Sequence, residues 1–371
     1  MIRLTRPDVA GAHASLKTLL EGGLLVQGKT VESFEQAVAA YVGRGCGVAL
    51  NSGTSAIQCA VMSIGIGKGD QVVLPDFTFP ATANAVVCAG ATPVLADIDP
   101  VTFNLDPESV IAEITPATRA IMPVDLFGLP SDLDSITTIC AERELLLVED
   151  SACALGASYK GRRCGSFGEV SAISFHPRKI VTTGEGGMVL TDRSDAADTV
   201  RRLRNHGIDV SDGGARFVLA GYNMRMNEME ACLGVTQMAN IDDMVQDRRR
   251  AAALYDELLL GLDEITAPLE PDGMFHTYQS YVTMVDARID RDGLIASMRK
   301  KGVETAIGTY SIHVQPFYRE MLGHKPGKFP SSYHAFRHSL ALPIYASMEE
   351  ETVRQVVTSL KECTQRLIAG K

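Results

Sequence analysis

The first half of the chain alternates short apolar runs with segments of helical periodicity. Each run has the length of a strand and is bounded by small or polar residues, whereas apolar residues recur every three to four positions in the segments between. The predicted strands cover residues 47–50, 71–74, 92–96, 120–124, 145–149, 170–175 and 187–191, and helices are predicted to begin at 55, 81 and 132. Strands that alternate with helices form a mostly parallel sheet with helices on both faces, so the pattern predicts an α/β fold.

The pattern changes in the second half. Helices are predicted over 195–205 and 226–244, and a long helix over 247–260 leads into a strand-like segment at 276–285, a helix at 290–301 and a final helix at 349–367. We therefore predict a large domain over 1–245 and a smaller α+β C-terminal domain over 246–371. No Pro-rich or Gly/Ser-rich linker divides them, so the two domains are expected to pack as one body.

Composition argues against several classes of function. The 371 residues carry a formal net charge of −10, which argues against non-specific binding to nucleic acid or to an anionic membrane surface. No apolar stretch is long enough to span a bilayer, and the N-terminus lacks the apolar core of a signal peptide, so we expect a cytoplasmic protein. The eight cysteines show neither C-x-x-C pairs nor zinc-type spacing with the eight histidines, which predicts free thiols and no metal site.

Two charged residues follow predicted strands and are the first candidates for chemistry. Asp150 ends the run that starts at Leu145, and Lys179 lies just beyond the run that ends at Phe175. Ligands of α/β sheets bind outside the carboxyl ends of the strands, so both side chains are expected in one crevice. Pyridoxal phosphate needs such a pair, a lysine for its aldehyde and a carboxylate for its ring nitrogen. Taken alone, however, Lys179 suits an ordinary surface lysine and Asp150 suits a helix N-cap.

Two further strand exits carry residues suited to the rest of such a cofactor. Gly53, Thr54 and Ser55 lie between a predicted strand and a helix, where backbone amides and hydroxyls can bind phosphate. Phe79 follows the strand at 71–74 and can stack there on a planar ring. Ordinary capping by Thr54 or Ser55, and packing of Phe79 in the core, are the alternatives.

Together these segments resemble the pyridoxal-phosphate-dependent sugar aminotransferases of the DegT/DnrJ/EryC1/StrS family. The resemblance covers nearly the whole chain through ordered motifs at 28–35, 51–56, 78–84, 149–150, 165–168, 174–187, 221–226 and 342–343. Several ordered motifs are far more specific than any one of them. The resemblance implies the fold type I aminotransferase architecture, in which the N-terminal segment can join the small domain.

The resemblance implies the catalytic roles. Lys179 matches the lysine that bonds the cofactor aldehyde and carries the proton, and Asp150 matches the partner of the ring nitrogen. Asn223 matches an asparagine that reaches the phosphate of the neighbouring subunit's cofactor, which implies a homodimer with shared active sites.

The remaining cofactor contacts are implied in the same way. Thr54, Ser55 and Ser174 match the family's phosphate ligands in a cradle that includes Gly53, and Phe79 matches the aromatic residue that covers the cofactor ring. Ser174 lies five positions before the lysine, so one short segment is expected to hold both ends of the cofactor.

Substrate contacts are predicted from fewer signals. Glu185, in a glycine turn, suits either a substrate contact or a solvated turn residue. Tyr310, His313 and Tyr318 lie in one aromatic segment that suits the substrate side, although aromatic residues near a proline are as often packing.

Two positions depart from the family pattern. Cys153 stands three residues after Asp150, where the family usually has a glutamine or histidine that hydrogen-bonds the phenolic oxygen of the cofactor. A thiol is a weak donor, so this contact is expected to differ. Asp125 replaces the family's usual histidine before Leu126, and we expect that position to bear on substrate rather than on cofactor.

The function implied by the resemblance is transfer of an amino group from L-glutamate to a nucleotide-linked keto sugar by a ping-pong mechanism. Three alternatives stay open: transamination of a keto-cyclitol, dehydration of a sugar on the same fold, and a non-catalytic regulator that kept the fold. Relatives that dehydrate sugars have a histidine in place of the lysine, so Lys179 argues against that reaction.

Overall fold

A seven-stranded sheet forms the centre of the molecule, whose computed structural model describes residues 1–210 and 213–369. The strands of the chain, numbered in order, are β1 Cys46–Leu50, β2 Gln71–Pro75, β3 Phe77–Thr78, β4 Thr92–Ala96, β5 Thr118–Ile121, β6 Leu146–Asp150, β7 Ser158–Tyr159, β8 Arg162–Arg163, β9 Val170–Ser174, β10 Gly187–Thr191, β11 Ile208–Asp209, β12 Arg216–Phe217, β13 Ile265–Thr266, β14 Met274–Phe275, β15 Tyr281–Val285, β16 Tyr310–Ser311 and β17 Ser339–Leu342. The central sheet has the order β1-β10-β9-β6-β5-β2-β4. Within it, β10 runs antiparallel to both neighbours and the remaining pairings are parallel, which confirms the predicted mixed, mostly parallel α/β sheet.

Helices cover both faces of this sheet. In chain order they are α1 His13–Gly22, α2 Lys29–Val42, α3 Gly53–Ser63, α4 Ala81–Cys88, α5 Pro107–Glu113, α6 Leu133–Arg143, α7 Ser194–Leu203, α8 Glu228–Met238, α9 Ile241–Leu259, α10 Arg291–Lys300, α11 Pro316–Leu322, α12 Pro330–His338 and α13 Glu350–Ala369, with 3-10 helices at Ala10–Ala12, Leu126–Gly128 and Ile312–Val314. Buried side chains of α3, α4 and α7 pack on one face, and those of α2, α5 and α6 pack on the other. Alternate strand residues serve the two faces, as the pleat requires: Val48 and Leu50 point to one and Ala49 to the other.

The prediction of a single helix over 226–244 is wrong, because the chain forms two helices there, α8 and α9. Asn227 caps α8 with its side chain in a reciprocal capping box with Glu230, which starts the helix after Met226. Asn240, with a φ of −123°, then separates the two helices. Asparagine disfavours helix interiors because its side chain competes for the backbone hydrogen bonds. No helix in the described part of the chain is both long and apolar enough to cross a membrane.

A second, smaller unit follows α9. Strands β13, β15 and β17 form a three-stranded sheet whose core is completed by α9, α10 and α13. The N-terminal segment lies against this unit, because Ile2 forms a parallel bridge with Val303 and the Leu4 N–H donates to the Glu304 carboxylate. The predicted boundary near residue 245 falls inside α9, so one continuous helix joins the two units.

Residues 310–338 leave the smaller unit and return to the large one. β16 pairs with β3, and Ile312, Tyr318 and Phe329 are buried in the core on one face of the central sheet. The structure therefore places this stretch with the large domain, unlike the predicted division. Its apolar residues show only that it is buried, and nothing in their spacing indicates which core receives them.

Candidate active site

The register of the sheet brings the predicted cofactor segments to one edge. Leu50 at the end of β1 pairs with Gly187 at the start of β10, and Gly187 pairs with Ser174 at the end of β9. β6 lies beside β9, where Asp150 pairs with Ala172. The turn after β1, the loop after β9 and the Asp150 side chain therefore lie around one crevice at the carboxyl edge of the sheet.

Lys179 lies in a turn directly after β9. Its backbone N–H donates to the His176 carbonyl over 2.8 Å, and His176 Nδ1 accepts the Arg178 N–H over 3.2 Å. Burial lowers the pKa of His176, which favours the neutral ring that this bond requires. The half-buried Lys179 places its Nζ 2.8 Å from Cys153 Sγ, so the amine reaches back over the segment that follows Asp150. His176 thus holds the turn that carries Lys179.

Asp150 is a buried carboxylate in need of a positive partner. The residue is 2% exposed, and its oxygens accept hydrogen bonds from Thr82 Oγ1 at 2.8 Å and from the Ala152 N–H at 3.2 Å. Burial raises the pKa of Asp150, while these hydrogen bonds and the nearby charge of Lys179 act in the opposite direction. No described residue forms a direct ion pair with this carboxylate, so a protonated ring nitrogen would give it a partner in contact, beyond the nearby charge of Lys179.

Helix α3 begins against Ser174 and provides a place for an anion. Ser52 Oγ accepts the Ser55 N–H over 3.1 Å, and the described residues offer no acceptor to the amides of Gly53 and Thr54. A Cβ on Gly53 would lie 2.6 Å from the Ser174 Cβ, so glycine is required for the helix to approach the strand end this closely. Amides and hydroxyls at a helix N-terminus favour a phosphate, as the sequence predicts.

Two exposed aromatic side chains lie near the start of α4, the helix whose Thr82 bonds Asp150. Phe79 is 62% exposed, which excludes the alternative that it packs in the core, and its ring centroid lies 6.3 Å from that of Tyr310. Tyr310 is brought there by the pairing of β16 with β3. Glu185 and Asn223 are both exposed. These four side chains remain available to a substrate, a cofactor or a second subunit.

Two of the residues predicted for the substrate side are buried instead. His313 is fully buried, with Nδ1 2.6 Å from Asp76 Oδ2 and Nε2 2.9 Å from the Pro326 carbonyl. Tyr318 is 3% exposed and its hydroxyl donates to Asn84. The buried Asp76 carboxylate requires donors, and His313 supplies one, so we assign His313 to the support of the aromatic segment and not to substrate.

Asp125 does not face a substrate either, and that expectation is wrong. The residue is fully buried, where it accepts the Ser131 N–H over 2.9 Å and the Ser151 hydroxyl over 2.8 Å. It lies behind Asp150. The backbone N–H of Asp125 donates to the Asp150 carbonyl, and the backbone N–H of Asp150 donates to the Pro123 carbonyl. A short acidic side chain at this strand end fills a polar pocket inside the protein.

Thr82 is a site residue that sequence reasoning missed. It is 2% exposed, bonds Asp150 directly and lies 3.1 Å from the Thr78 hydroxyl. The only signal in the sequence is a threonine in the first turn of a helix that is predicted to begin at residue 81. Nothing in the sequence indicates that this threonine meets Asp150.

The arrangement defines a class of protein. A lysine amine, a buried carboxylate and the N-terminus of α3 surround one crevice, and they suit the aldehyde, the ring nitrogen and the phosphate of pyridoxal phosphate in turn. The close approach at Gly53 and the missing positive partner of Asp150 both fit that molecule. The site is that of a pyridoxal-phosphate-dependent enzyme.

Comparison with known sequences gives the family. The profile of the DegT/DnrJ/EryC1/StrS aminotransferase family matches residues 9–361, and the chain belongs to this family of sugar aminotransferases. It is therefore a pyridoxal-phosphate-dependent aminotransferase, as the resemblance implied.

Individual relatives agree with this assignment. The spore coat polysaccharide biosynthesis protein SpsC of Bacillus subtilis is 35% identical over 356 residues, 92% of each chain. GDP-perosamine synthase of Caulobacter vibrioides is 36% identical over 338 residues, 90% of each chain. The crystal structure of S. venezuelae DesV matches with a TM-score of 0.92 at 32% identity, over 98% of this chain and 99% of DesV. The fold type I aminotransferase architecture is thus confirmed.

Proposed function

We propose that the chain transfers the amino group of L-glutamate to a nucleotide-linked keto sugar in a ping-pong reaction. The observation that carries the proposal is the convergence of Lys179 and Asp150 at the ends of neighbouring strands, beside the α3 cradle. Two relatives support the acceptor class, since one is named for a GDP-linked sugar and the other for polysaccharide biosynthesis. The donor rests on the resemblance to the family.

Each residue of the crevice has one task in this reaction. Pyridoxal phosphate, when bound, supplies an aldehyde that exchanges amines and a ring that withdraws electrons. Lys179 Nζ would hold the aldehyde end of the cofactor and, when free, would serve as the base that carries a proton from the amino donor. Asp150 keeps the ring nitrogen protonated, and Thr82 fixes the orientation of the carboxylate. Gly53, Thr54, Ser55 and Ser174 anchor the phosphate so that the reacting atoms stay aligned.

The two half-reactions can be tested separately. L-glutamate added to the cofactor-loaded protein should discharge the visible absorbance of lysine-bound pyridoxal phosphate and release one equivalent of 2-oxoglutarate. D-glutamate is the matched control and should leave the absorbance unchanged. Discharge by other amino acids, with none by L-glutamate, would remove the donor assignment.

The acceptor is identified by screening the discharged protein. A panel of nucleotide-linked keto sugars, with free keto sugars and a keto-cyclitol as comparisons, should return the absorbance with a nucleotide-linked member alone. Return of the absorbance with the keto-cyclitol alone would favour the cyclitol reaction. A response to the free sugar equal to that of its nucleotide form would remove the nucleotide from the proposal.

We further propose a homodimer with shared active sites. Asn223 is exposed on its own chain. Helix α1 has no buried residue, and the apolar side chains of Leu20 in this helix and of the nearby Leu24 are each 58% exposed. Exposed apolar residues of this kind favour a protein partner, and a second copy would bring Asn223 to the phosphate of the neighbouring cofactor.

Mixing variants tests the shared site. An inactive Lys179→Ala chain and an Asn223→Ala chain should each be impaired, and mixed dimers should recover part of the activity because one of their sites has all its residues. If mass spectrometry shows that mixed dimers have formed and activity still does not recover, each chain supplies its own complete site.

A further inference from the structure

Two acidic side chains lie buried together behind Asp150. Asp125 and Glu149 are both fully buried, and one carboxyl oxygen of each lies within 4.8 Å of the other and of Cys164 Sγ. The reaction proposed above uses neither acid. Both nevertheless lie next to Asp150, Glu149 in sequence and Asp125 through the backbone.

The surroundings of the pair supply hydrogen bonds but no positive charge. Glu149 accepts the N–H groups of Gly165 and Phe167 over 2.6 and 2.8 Å. Asp125 accepts its two bonds from Ser131 and Ser151. Among the described residues, none forms an ion pair with either carboxyl. Two adjacent carboxylates cannot both stay ionised in such a place, because burial and their mutual repulsion oppose the second charge.

We propose that Asp125 and Glu149 share one proton, held on Glu149 and donated to Asp125, and that this acid pair positions Asp150. Burial raises the pKa of both groups, and the neighbouring Asp125 raises that of Glu149 further, so Glu149 is the protonated member. The hydrogen bond also explains the acid at position 125, because a shared proton needs a second carboxylate as its acceptor.

The pair holds Asp150 from both sides. The Asp125 N–H donates to the Asp150 carbonyl and the Asp150 N–H donates to the Pro123 carbonyl, each over 3.0 Å. Asp125 Oδ2 then binds Ser151, the residue after Asp150, while the shared proton ties Asp125 to Glu149, the residue before it. Only the task of Asp150 rests on the proposed function; the protonation of the pair does not.

The proposal has a defined dependence on pH. The titratable groups next to the pair are Asp150, which feels the charge of Asp125, and the Cys164 thiol, which feels both acids and also the charge of Arg163. Burial raises the pKa of Cys164, which therefore stays neutral. Glu149 has a higher pKa folded than unfolded, so the folded chain holds about one proton more from about pH 4.3 upward. Stability therefore falls as pH rises from there toward the folded pKa of Glu149.

Infrared spectroscopy of the wild-type protein without cofactor tests the protonation directly. A band of a protonated, hydrogen-bonded carboxylic acid should persist at neutral pH and shift on incorporation of carboxyl-labelled glutamate, and less on labelled aspartate. It should vanish only when the chain unfolds in alkali. The absence of such a band, or a stoichiometric divalent cation found by elemental analysis, would overturn the proposal.

Two variants at one position test the positioning role. Asp125→Asn replaces the shared proton by a permanent amide hydrogen, so its unfolding at neutral pH should release about one proton fewer than that of the wild type. Asp125→Ala removes the acceptors of Ser131 and Ser151 and should lower kcat more than cofactor affinity, with Asp125→Asn restoring part of it. Equal proton release from wild type and Asp125→Asn, or equal kcat loss in both variants, would count against the pair. The proton count uses cofactor-free protein, so it stands even if the proposed substrates are wrong.

Discussion

The side of the crevice proposed for the cofactor and the side proposed for the substrate are built in different ways. The residues proposed to hold the cofactor follow the ends of adjacent strands, so the register of one sheet sets the spacing between Asp150 and Ser174. The substrate side depends on a segment from the far end of the chain, where Tyr310 reaches Phe79 through the two-residue pairing of β16 with β3. One side is fixed by backbone pairing within the core, and the other is carried by exposed side chains on a short ladder.

This difference separates chemistry from choice of substrate. A buried, strand-end constellation suits a task that is the same for every substrate, namely holding a cofactor and moving a proton. Exposed side chains on a connecting segment can change without disturbing that task. Variants on the two sides should therefore differ in kind as well as in size.

The largest effect is expected from Lys179→Ala. Loss of the amine removes both the bond to the cofactor aldehyde and the proton carrier, so multiple-turnover transamination should fall by about a thousandfold or more. Steady-state release of 2-oxoglutarate measures it, with Lys179→Arg as a control that keeps the charge. Sustained turnover by Lys179→Ala would show that another base does the work.

Asp150→Asn should follow, with a loss of about a hundredfold in kcat. The amide keeps the shape and the bond from Thr82 but cannot hold the ring nitrogen protonated, and a charge-assisted hydrogen bond is worth about 1.5–3 kcal/mol. Cofactor binding, measured by fluorescence titration, should change far less than kcat. A normal rate from this variant would remove the assigned role.

Thr82→Val tests the residue that the sequence did not reveal. Loss of the 2.8 Å bond to Asp150 should cost about 1.4 kcal/mol, a tenfold drop in kcat. Thr82→Ser keeps the hydroxyl and should stay close to wild type. If both variants lose activity equally, the methyl group and not the hydroxyl is what matters.

Tyr310→Ala should have the smallest effect of the four variants, and it should act on the side proposed for the substrate. Removing an aromatic contact worth about 0.5–1.5 kcal/mol should raise KM for the sugar by roughly two- to tenfold, while the half-reaction with L-glutamate keeps its rate. Rapid-mixing absorbance separates the two half-reactions. Slowing of the glutamate step alone would place Tyr310 on the cofactor side.

The sequence predicts the two sides with unequal success for a physical reason. Strands at 92–96 and 187–191 have the predicted limits, and the residues that follow strands converge because parallel strands end at one edge. His313 was predicted beside Tyr310 because both are polar aromatics in one segment, yet it is buried against Asp76. Local sequence shows that the segment packs, but a partner 237 positions away decides which side chain turns inward.

Thr82 and Asp125 show the same limit within the large domain. Thr82 bonds the Asp150 carboxylate, and the Asp125 N–H bonds the Asp150 carbonyl, each from a different part of the chain. No sequence pattern around either residue indicates that contact. The family resemblance implies the roles of the residues proposed to touch the cofactor. It did not supply the residues that hold those side chains in place, which only the packing shows.

The ladder between β3 and β16 also makes a mechanical connection. It hydrogen-bonds the two residues before Phe79 to a segment whose far end runs into β17 of the smaller sheet. Because Ile312, Tyr318 and Phe329 in that segment are buried in the core on one face of the central sheet, the ladder is anchored to the large unit even though the segment continues into the smaller one. The backbone that leads into the exposed Phe79 is therefore held by residues 310–311, which lie more than 230 positions later in the chain.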